Sequence, residues 1–346
     1  MNSAPGNPKE KSAATLDDVA RRAGVSRDTA SVVVNGSRSN TRVSAATRAR
    51  ILQAAAELRY SPNSIARSLR RRRTDIIGFY SGYPQIYAEN PFKAQIITGL
   101  QLGCDRLRQD LLLHGKYPGR PVEAVYAELA DGKIDGLVLF TPPDDPLIER
   151  LVGSHLPVVA IADAVPAVPS VVVDDAEGGR LQAEHLAARG HRRVVYQTAH
   201  QPLASTTRRY AAFCEAAAAR GMTVLESPSV DQHSGLTEAA KASLLAARPE
   251  RSTAVVAWQD GAAVRALTEC LGLGLKVPER VAVIGFDGIR ARSDFQVGPT
   301  HTLTTIRAPW VEVAQTAVSL LVSRIEGKEV AHETIVPVEL LAGNTT

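Results

Sequence analysis

Residues 15–34, TLDDVARRAGVSRDTASVVV, constrain the chain more than any other stretch. The pattern predicts two short helices joined by a tight turn. Thr15 is placed to cap the first helix, and Asp18, three residues on, completes a capping box. Leu16, Val19, Ala20 and Ala23 recur at i, i+3, i+4 and i+7, which gives one apolar stripe. Gly24 supplies the left-handed residue that stops a helix. Val25 packs into the turn and Ser26 caps the second helix. On that helix Ala30, Val33 and Val34 are expected inward, and Arg27, Asp28, Ser31 and Val32 outward. This is the pattern of a helix-turn-helix whose second helix enters a DNA major groove, so double-stranded DNA is the first partner it nominates.

Charge distribution agrees. Residues 1–73 hold 15 Lys/Arg against 5 Asp/Glu, a net of +10, while the remainder carries −6. A basic segment on an acidic body confines a polyanionic partner to that segment. The charges overlay a packed helical pattern, unlike a merely solubilising run.

At 346 residues the chain has room for a small domain plus a two-lobed one. Residues 1–13 read as a disordered leader with no apolar core for a signal peptide, so a cytoplasmic protein is expected. No apolar run is long enough to span a membrane. Cys104, Cys214 and Cys270 lie far apart and match no metal-ligand spacing, as expected of buried thiols in a reducing compartment. A helix-turn-helix domain is expected over 14–62, with a third helix at 44–58 carrying Ile51, Ala55 and Leu58 inward. Pro62 ends that element. The octet at 63–70 is helical in pattern but too short to be stable alone, so it needs a partner to order it. Residues 63–73 are therefore read as a hinge and linker.

From Thr74 the grammar changes. Short β-branched runs at 76–80, 136–140, 157–161, 170–173, 193–197, 254–257 and 281–285 alternate with Ala-rich helical stretches. Such alternation with continuous apolar strands predicts an α/β body of two parallel, doubly wound sheets with helices on both faces. A late helix at 309–326 and a single last strand at 333–341 remain over. They suggest a first lobe of about 74–174 and 304–328, and a second of about 175–300 and 332–346. Ligands in open α/β sheets bind at the carboxyl ends of strands, which places a cleft between the lobes.

The chain resembles the LacI-type (lactose-repressor) family of bacterial transcription regulators. The resemblance is carried in colinear order by VARRAGVS, TASVVVNG, VSAATRARILQAAAELRYSPNSIARSL, NPFKAQIITGL, DGLVLF, VVVDDAEGGRLQAEHLAARGHRRV, VPERVAVIGFDG and LTTIRAPWVEVAQTAVSLLVSRIEG. It implies a homodimer, sometimes a tetramer, that binds a pseudo-palindromic operator. It also implies a body similar to periplasmic sugar-binding proteins, with a small-molecule effector in the interlobe cleft. Repression is the expected direction of regulation.

By resemblance, Arg27 and Asp28 are the main half-site readers and Val32 occupies a third reading position. Arg27 can fork onto guanine and Asp28 can accept from a cytosine amino group, whereas Val32 offers only apolar contact, as with a thymine methyl. Thr29, Ser31 and Asn35 look like phosphate anchors, as do the helix-capping residues Thr15 and Ser26. Asn63, Ala66 and Leu69 match the family's hinge helix, with Leu69 in the place of the leucine that wedges into the minor groove.

On the effector side, Arg209 in RYAAF matches the family's effector-contacting arginine, and Asp287 in IGFDG its acidic partner in the same lobe. Asp163 matches a further pocket acid at a first-lobe strand end. Gln259, in AWQD, replaces the more frequent asparagine. Tyr83 and Tyr87 are candidates to stack on a sugar face, and Trp258 lines the cleft or fills the lobe. Strand-end carboxylates and a guanidinium suit paired hydroxyls, so a saccharide is the expected ligand. No HExxH, P-loop or G-x-S-x-G pattern appears, no cofactor or metal is expected, and Gly272-Leu273-Gly274 reads as helix termination. The competing readings are a sugar-binding protein or sugar-modifying enzyme with an incidental basic arm, and an architectural DNA-binding protein. The first lacks an export signal or catalytic constellation, and the second would not need a 270-residue α/β body.

Overall fold

The structure is a computed structural model that describes residues 14–35, 42–62, 68, 71–84, 90–116, 119–201, 203–231, 233–289 and 301–346, with the side chains of residues 84 and 116 excepted. The chain divides into two compact units, Met1–Thr74 and Asp75–Thr346.

In the first unit, α1 (Leu16–Ala23), α2 (Arg27–Asn35) and α3 (Ala45–Glu57) enclose a small core of Val19, Ala20, Ala23, Ala30, Val33, Ile51 and Ala54. Leu16, Val34, Ala55 and Leu58 pack at its margin. Thr15 and Asp18 form the expected capping box, and Gly24 ends α1 at φ 62°, which a side chain would resist. Ser44 caps α3 by accepting from the Thr47 amide. The Arg22–Glu57 pair, 2.7 Å, ties α1 to α3 at the surface.

The second unit holds two six-stranded sheets. The first sheet contains β1 (Ile76–Pro84), β2 (Asp110–Lys116), β3 (Gly136–Phe140), β4 (Val158–Ile161), β5 (Ser170–Val173) and β11 (Glu333–Val336), in the order β11-β5-β4-β3-β1-β2. The second contains β6 (Arg193–Thr198), β7 (Thr223–Pro228), β8 (Ala254–Ala257), β9 (Ala282–Asp287), β10 (Thr304–Arg307) and β12 (Glu339–Leu341), in the order β12-β10-β9-β8-β6-β7. Every pairing is parallel except that of β12 with β10.

Helices cover both faces. In the first lobe α4 (Pro91–Arg106) and α11 (Trp310–Ile325) lie against each other on one face, and α5 (Val122–Leu129) and α6 (Leu147–Val152) form a pair on the other. The second lobe carries α7 (Asp175–Ala188), α8 (Ala204–Ala218), α9 (Glu238–Leu245) and α10 (Asp260–Gly272). Strand residues alternate between the two covered faces. Val138 joins Ile77 and Phe79 in the core under α11, whereas Leu137 and Leu139 join Tyr80 and Leu147 on the other side. That is why these strands read as unbroken apolar runs.

Two expectations about the chain's return need correction. Thr304–Arg307, expected in the first lobe, extends the second sheet beside β9, with Thr304 opposite Ile284. The single strand expected at 333–341 is two strands in different sheets. Glu333–Val336 pairs with β5, and Glu339–Leu341 with β10. Pro337 separates them, because it lacks an amide proton and pushes Val336 out of register with a continuing ladder. The lobes are thus joined near residue 174, at 308–309 and at 337–338. The strands β2, β7 and β10 were not expected at all. The first two lie at sheet edges, where one side of the strand meets solvent and the apolar run is broken.

Candidate DNA-reading surface and effector cleft

The first unit presents α2 with Arg27 and Asp28 exposed. Ser26 caps it, its hydroxyl accepting from the Thr29 amide at 3.2 Å and sharing a 2.8 Å bond with the Thr29 hydroxyl. Arg27 Nε stands 3.3 Å from Asp17 Oδ1, a solvent-exposed pair that costs little to exchange for a base edge. Val32 is half-buried. Ser31, expected outward, is only 8% exposed. Helical side chains lean towards the N-terminus, so Asn35 lies over Ser31 and donates from Nδ2 to its hydroxyl at 3.1 Å. Asn35 is thereby also engaged inside the unit, and the Thr15 hydroxyl is bonded to Asp18 at 2.7 Å. Asn63, Ala66 and Leu69 lie outside the described residues.

In the second unit, strand ends bring polar side chains together where the lobes meet. Arg209 projects from the first turns of α8 and is almost fully enclosed. Its Nη2 donates to Asp175 Oδ1 at 2.8 Å, its Nη1 donates to the Trp258 carbonyl, and its guanidinium carbon lies 3.2 Å above the centre of the Phe286 ring. The direct partner of Arg209 is therefore Asp175, the first residue of α7, rather than Asp287 as the resemblance implied. Asp287 stays within electrostatic reach of Arg209 but accepts from the Asp260 amide.

The α7–α8 contact makes this arrangement possible. Gly178 and Gly179 let α7 approach so closely that a Cβ at Gly179 would stand 2.2 Å from the Arg209 carbonyl, and one at Gly178 2.4 Å from the Phe286 ring.

Asp260 is saturated, with its carboxylate accepting from the Ile289 amide at 2.7 Å and the Thr305 hydroxyl at 2.5 Å. Asp287 ends β9 at φ 116°, a left-handed conformation that a non-glycine residue adopts only under constraint from its surroundings. Burial pushes its carboxyl well above the usual carboxylate range, and the neighbouring Asp260 charge adds to the effect while Arg209 opposes it.

From the first lobe, Asp163 crosses to the start of α8. One oxygen accepts from the Ser205 amide at 2.9 Å and the Ala164 amide at 3.0 Å. Burial raises its pKa, and those amides partly offset the rise. A second bridge runs from Arg208 of α8 to Glu333 of β11, 2.6 Å. Tyr83 stacks at a tilt on Phe140, ring centres 4.6 Å apart, and burial with Asp163 nearby raises its phenol pKa. Trp258 is half-buried against the second-lobe core, and Gln259 stands at the N-cap of α10 without a side-chain capping bond. Tyr87 lies outside the described residues.

Of the residues expected here, the structure brings Tyr83, Asp163, Arg209, Trp258 and Asp287 together. Asp175, Arg208, Asp260 and Phe286 complete the site and were missed. The Asp174-Asp175 pair was legible as a helix start, and nothing in the pattern distinguished the capping acid from the one aimed at Arg209. Asp174 is the cap, accepting from the Glu177 amide at 2.9 Å.

Several buried polar atoms here have no hydrogen-bond partner among the described residues. They are Asp163 Oδ2, Asp175 Oδ2, Arg209 Nε, Arg208 Nε and the Tyr83 hydroxyl. Buried polar groups are ordinarily paired, so a cluster of unpaired ones marks a place where something else supplies the partners. Among the described residues no group of three or more His, Cys, Asp or Glu side chains could hold a metal ion, and no helix is long and apolar enough to cross a membrane.

Comparison with known proteins places both units. Residues 15–63 match the family described as bacterial regulatory proteins, lacI family, and residues 183–346 match a periplasmic binding protein-like domain. The chain is 32% identical to the HTH-type transcriptional repressor PurR of Photobacterium profundum, over 92% of this chain and 94% of that one. It is 31% identical to a PurR of Escherichia coli, over 93% of each. Among solved structures, the lac repressor dimer bound to operator and the anti-inducer ONPF superposes with a TM-score of 0.79 at 25% identity, covering 96% of this chain and 99% of that one. A complex of the transcriptional regulator CelR with cellobiose gives 0.65 at 28% identity, covering 96% and 100%.

Proposed function

The chain belongs to the lacI family of bacterial regulatory proteins, and from that membership we propose a homodimeric repressor whose grip on a two-fold symmetric operator is set by a saccharide in the interlobe cleft. The coarser part follows from the family: this is a DNA-binding transcriptional repressor, not an enzyme.

The observation that carries the effector reading is the set of unpaired buried polar atoms drawn from both lobes. A ligand that satisfies Asp163 and Tyr83 on one side and Asp175 and Arg209 on the other is bound more tightly when the lobes are together. Ligand binding then shifts the lobe equilibrium by the difference in affinity between the two states, and a ligand has no other means of shifting it. Hydroxyl groups both donate and accept, which suits a set mixing carboxylates with guanidinium N–H groups. The cellobiose held by the CelR structure supports that class.

On the DNA side, Arg27 and Asp28 are the exposed readers of each half-site. Leu69, placed by sequence in the hinge, is the wedge. Leu69→Ala weakens specific binding far more than non-specific binding, and equal losses would remove it from that role. A footprint on the DNA upstream of the chain's own gene tests the operator reading, and failure to protect any two-fold symmetric site would refute it.

A further inference from the structure

We propose that Arg208 is a positioning residue shared between one acid of each lobe, so that a ligand engaging Asp175 commits it to Glu333 and draws the lobes together. This coupling rests on the effector reading of the cleft and supplies its link to lobe closure.

Arg208 stands on α8 of the second lobe, beside Arg209. Its Nη1 donates to Glu333 Oε1 of β11, in the first lobe, at 2.6 Å. Its Nη2 lies 3.8 Å from Asp175 Oδ2, in its own lobe. That distance gives attraction and is too long for a hydrogen bond. Both sides of the longer contact are incomplete. Asp175 Oδ2, Arg208 Nη2 and Arg208 Nε are buried and have no hydrogen-bond partner among the described residues. A buried polar atom without a partner is costly, which favours any movement or ligand that supplies one.

The same guanidinium therefore has two arrangements. With the lobes together, Glu333 holds Arg208 and Asp175 Oδ2 is left open. With the lobes apart, β11 carries Glu333 away and Arg208 turns to Asp175 Oδ2, on a side chain that is fully buried. A hydroxyl that donates to Asp175 Oδ2 takes the place Arg208 needs in the second arrangement. Glu333 is then the partner that remains, and the closed state gains by the difference. Asp163, also within electrostatic reach of Arg208, belongs to the first lobe, so its pull favours closure as well.

Hydrogen exchange at the Ser205 amide reads lobe closure without any ligand. As the second residue of α8 it has no acceptor within its own helix, and it donates to Asp163 Oδ1 of the first lobe at 2.9 Å. In the full chain, Glu333→Gln is expected to speed that exchange about two- to fivefold, the worth of a partly exposed ion pair, and to leave the β6 amides unchanged. In an Arg208→Gln background, Glu333→Gln adds nothing. Asp175→Asn removes the competing acid and slows Ser205 exchange, a sign that a general loss of packing does not produce. Of cellobiose, D-glucose and D-ribose, one that slows Ser205 exchange in the wild type binds Glu333→Gln more weakly by a similar factor. Unchanged Ser205 exchange in Glu333→Gln, an equal rise in β6, or an equal effect in the Arg208→Gln background overturns the proposal, as does faster exchange in a folded Asp175→Asn. If Asp175→Asn does not fold, the Glu333→Gln and Arg208→Gln comparison decides. Protection by none of the three sugars, with the ligand-free effects as expected, overturns the saccharide reading and leaves the sharing of Arg208 supported.

Discussion

The two lobes of the body share one scaffold and divide the work unequally. Each is a six-stranded sheet whose final strand is supplied by the returning chain. Yet the second lobe supplies Arg209, Asp175, Asp260, Asp287 and the Phe286 platform, while the first supplies Asp163 and Tyr83. The strands are interchangeable in pattern, and the residues just past their carboxyl ends are not. Fold and site are therefore separable here, with the site residing in strand-end positions that the sheet itself does not specify.

The inequality can be broken most severely at Arg209. Arg209→Ala takes the 2.8 Å partner from the buried Asp175 carboxylate and leaves it only the Arg208 guanidinium at 3.8 Å, at a cost of about 3–5 kcal/mol to the second lobe. Denaturant unfolding should show that loss, and thermal shift should show the ligand response abolished. Gly179→Ala attacks the same lobe through its backbone. Its Cβ would meet the Arg209 carbonyl, and overpacking of this kind costs about 1–3 kcal/mol. The equivalent change at exposed Gly132, φ 84° with open space around it, strains only a surface turn and leaves ligand affinity as it is.

Asp163 offers a subtler probe, because it is the first lobe's acid placed across the gap. Its pKa is raised in the folded protein, so the native state holds a proton more readily than the unfolded chain. Stability at this residue therefore falls as pH rises through the folded value, and is regained as pH falls towards the ordinary 3.8. Asp163→Asn mimics the protonated form. The difference in unfolding free energy between wild type and variant should shift in favour of the wild type as pH is lowered from 7 to 4, and a flat difference would contradict the assignment.

A second pH effect has the opposite sign. Burial holds His185 down at about 4, with the Arg189 charge nearby. The unfolded chain takes up a proton first, so stability is lost as pH falls from 6.5 to about 4. His185→Gln should remove that slope in unfolding curves without altering ligand affinity, since its contacts are with Thr346 and Arg189.

Much of this was legible in the sequence. The helix-turn-helix was readable because caps and apolar spacing agreed, from Thr15 and Asp18 to Gly24. The body's inner strands were readable because both faces are buried. What escaped has physical reasons. Ser31 was misplaced because periodicity does not reveal that Asn35 folds over it. The run 333–341 looked like one strand because the apolar pattern continues through Pro337, while the chain passes from one sheet to the other. Asp175 was invisible as the arginine's partner because that contact joins positions 34 residues apart, on two helices whose close approach Gly179 permits.

In the proposed mechanism a ligand held by Arg209 controls the hold on DNA. It is tested most directly by measuring operator affinity at fixed salt with and without the best-binding neutral sugar, in wild type and Arg209→Ala. A change of about fivefold or more is expected in the wild type, as coupling of this kind gives, and none in the variant. An equal change in both proteins, or no change in the wild type with the sugar bound, would contradict it.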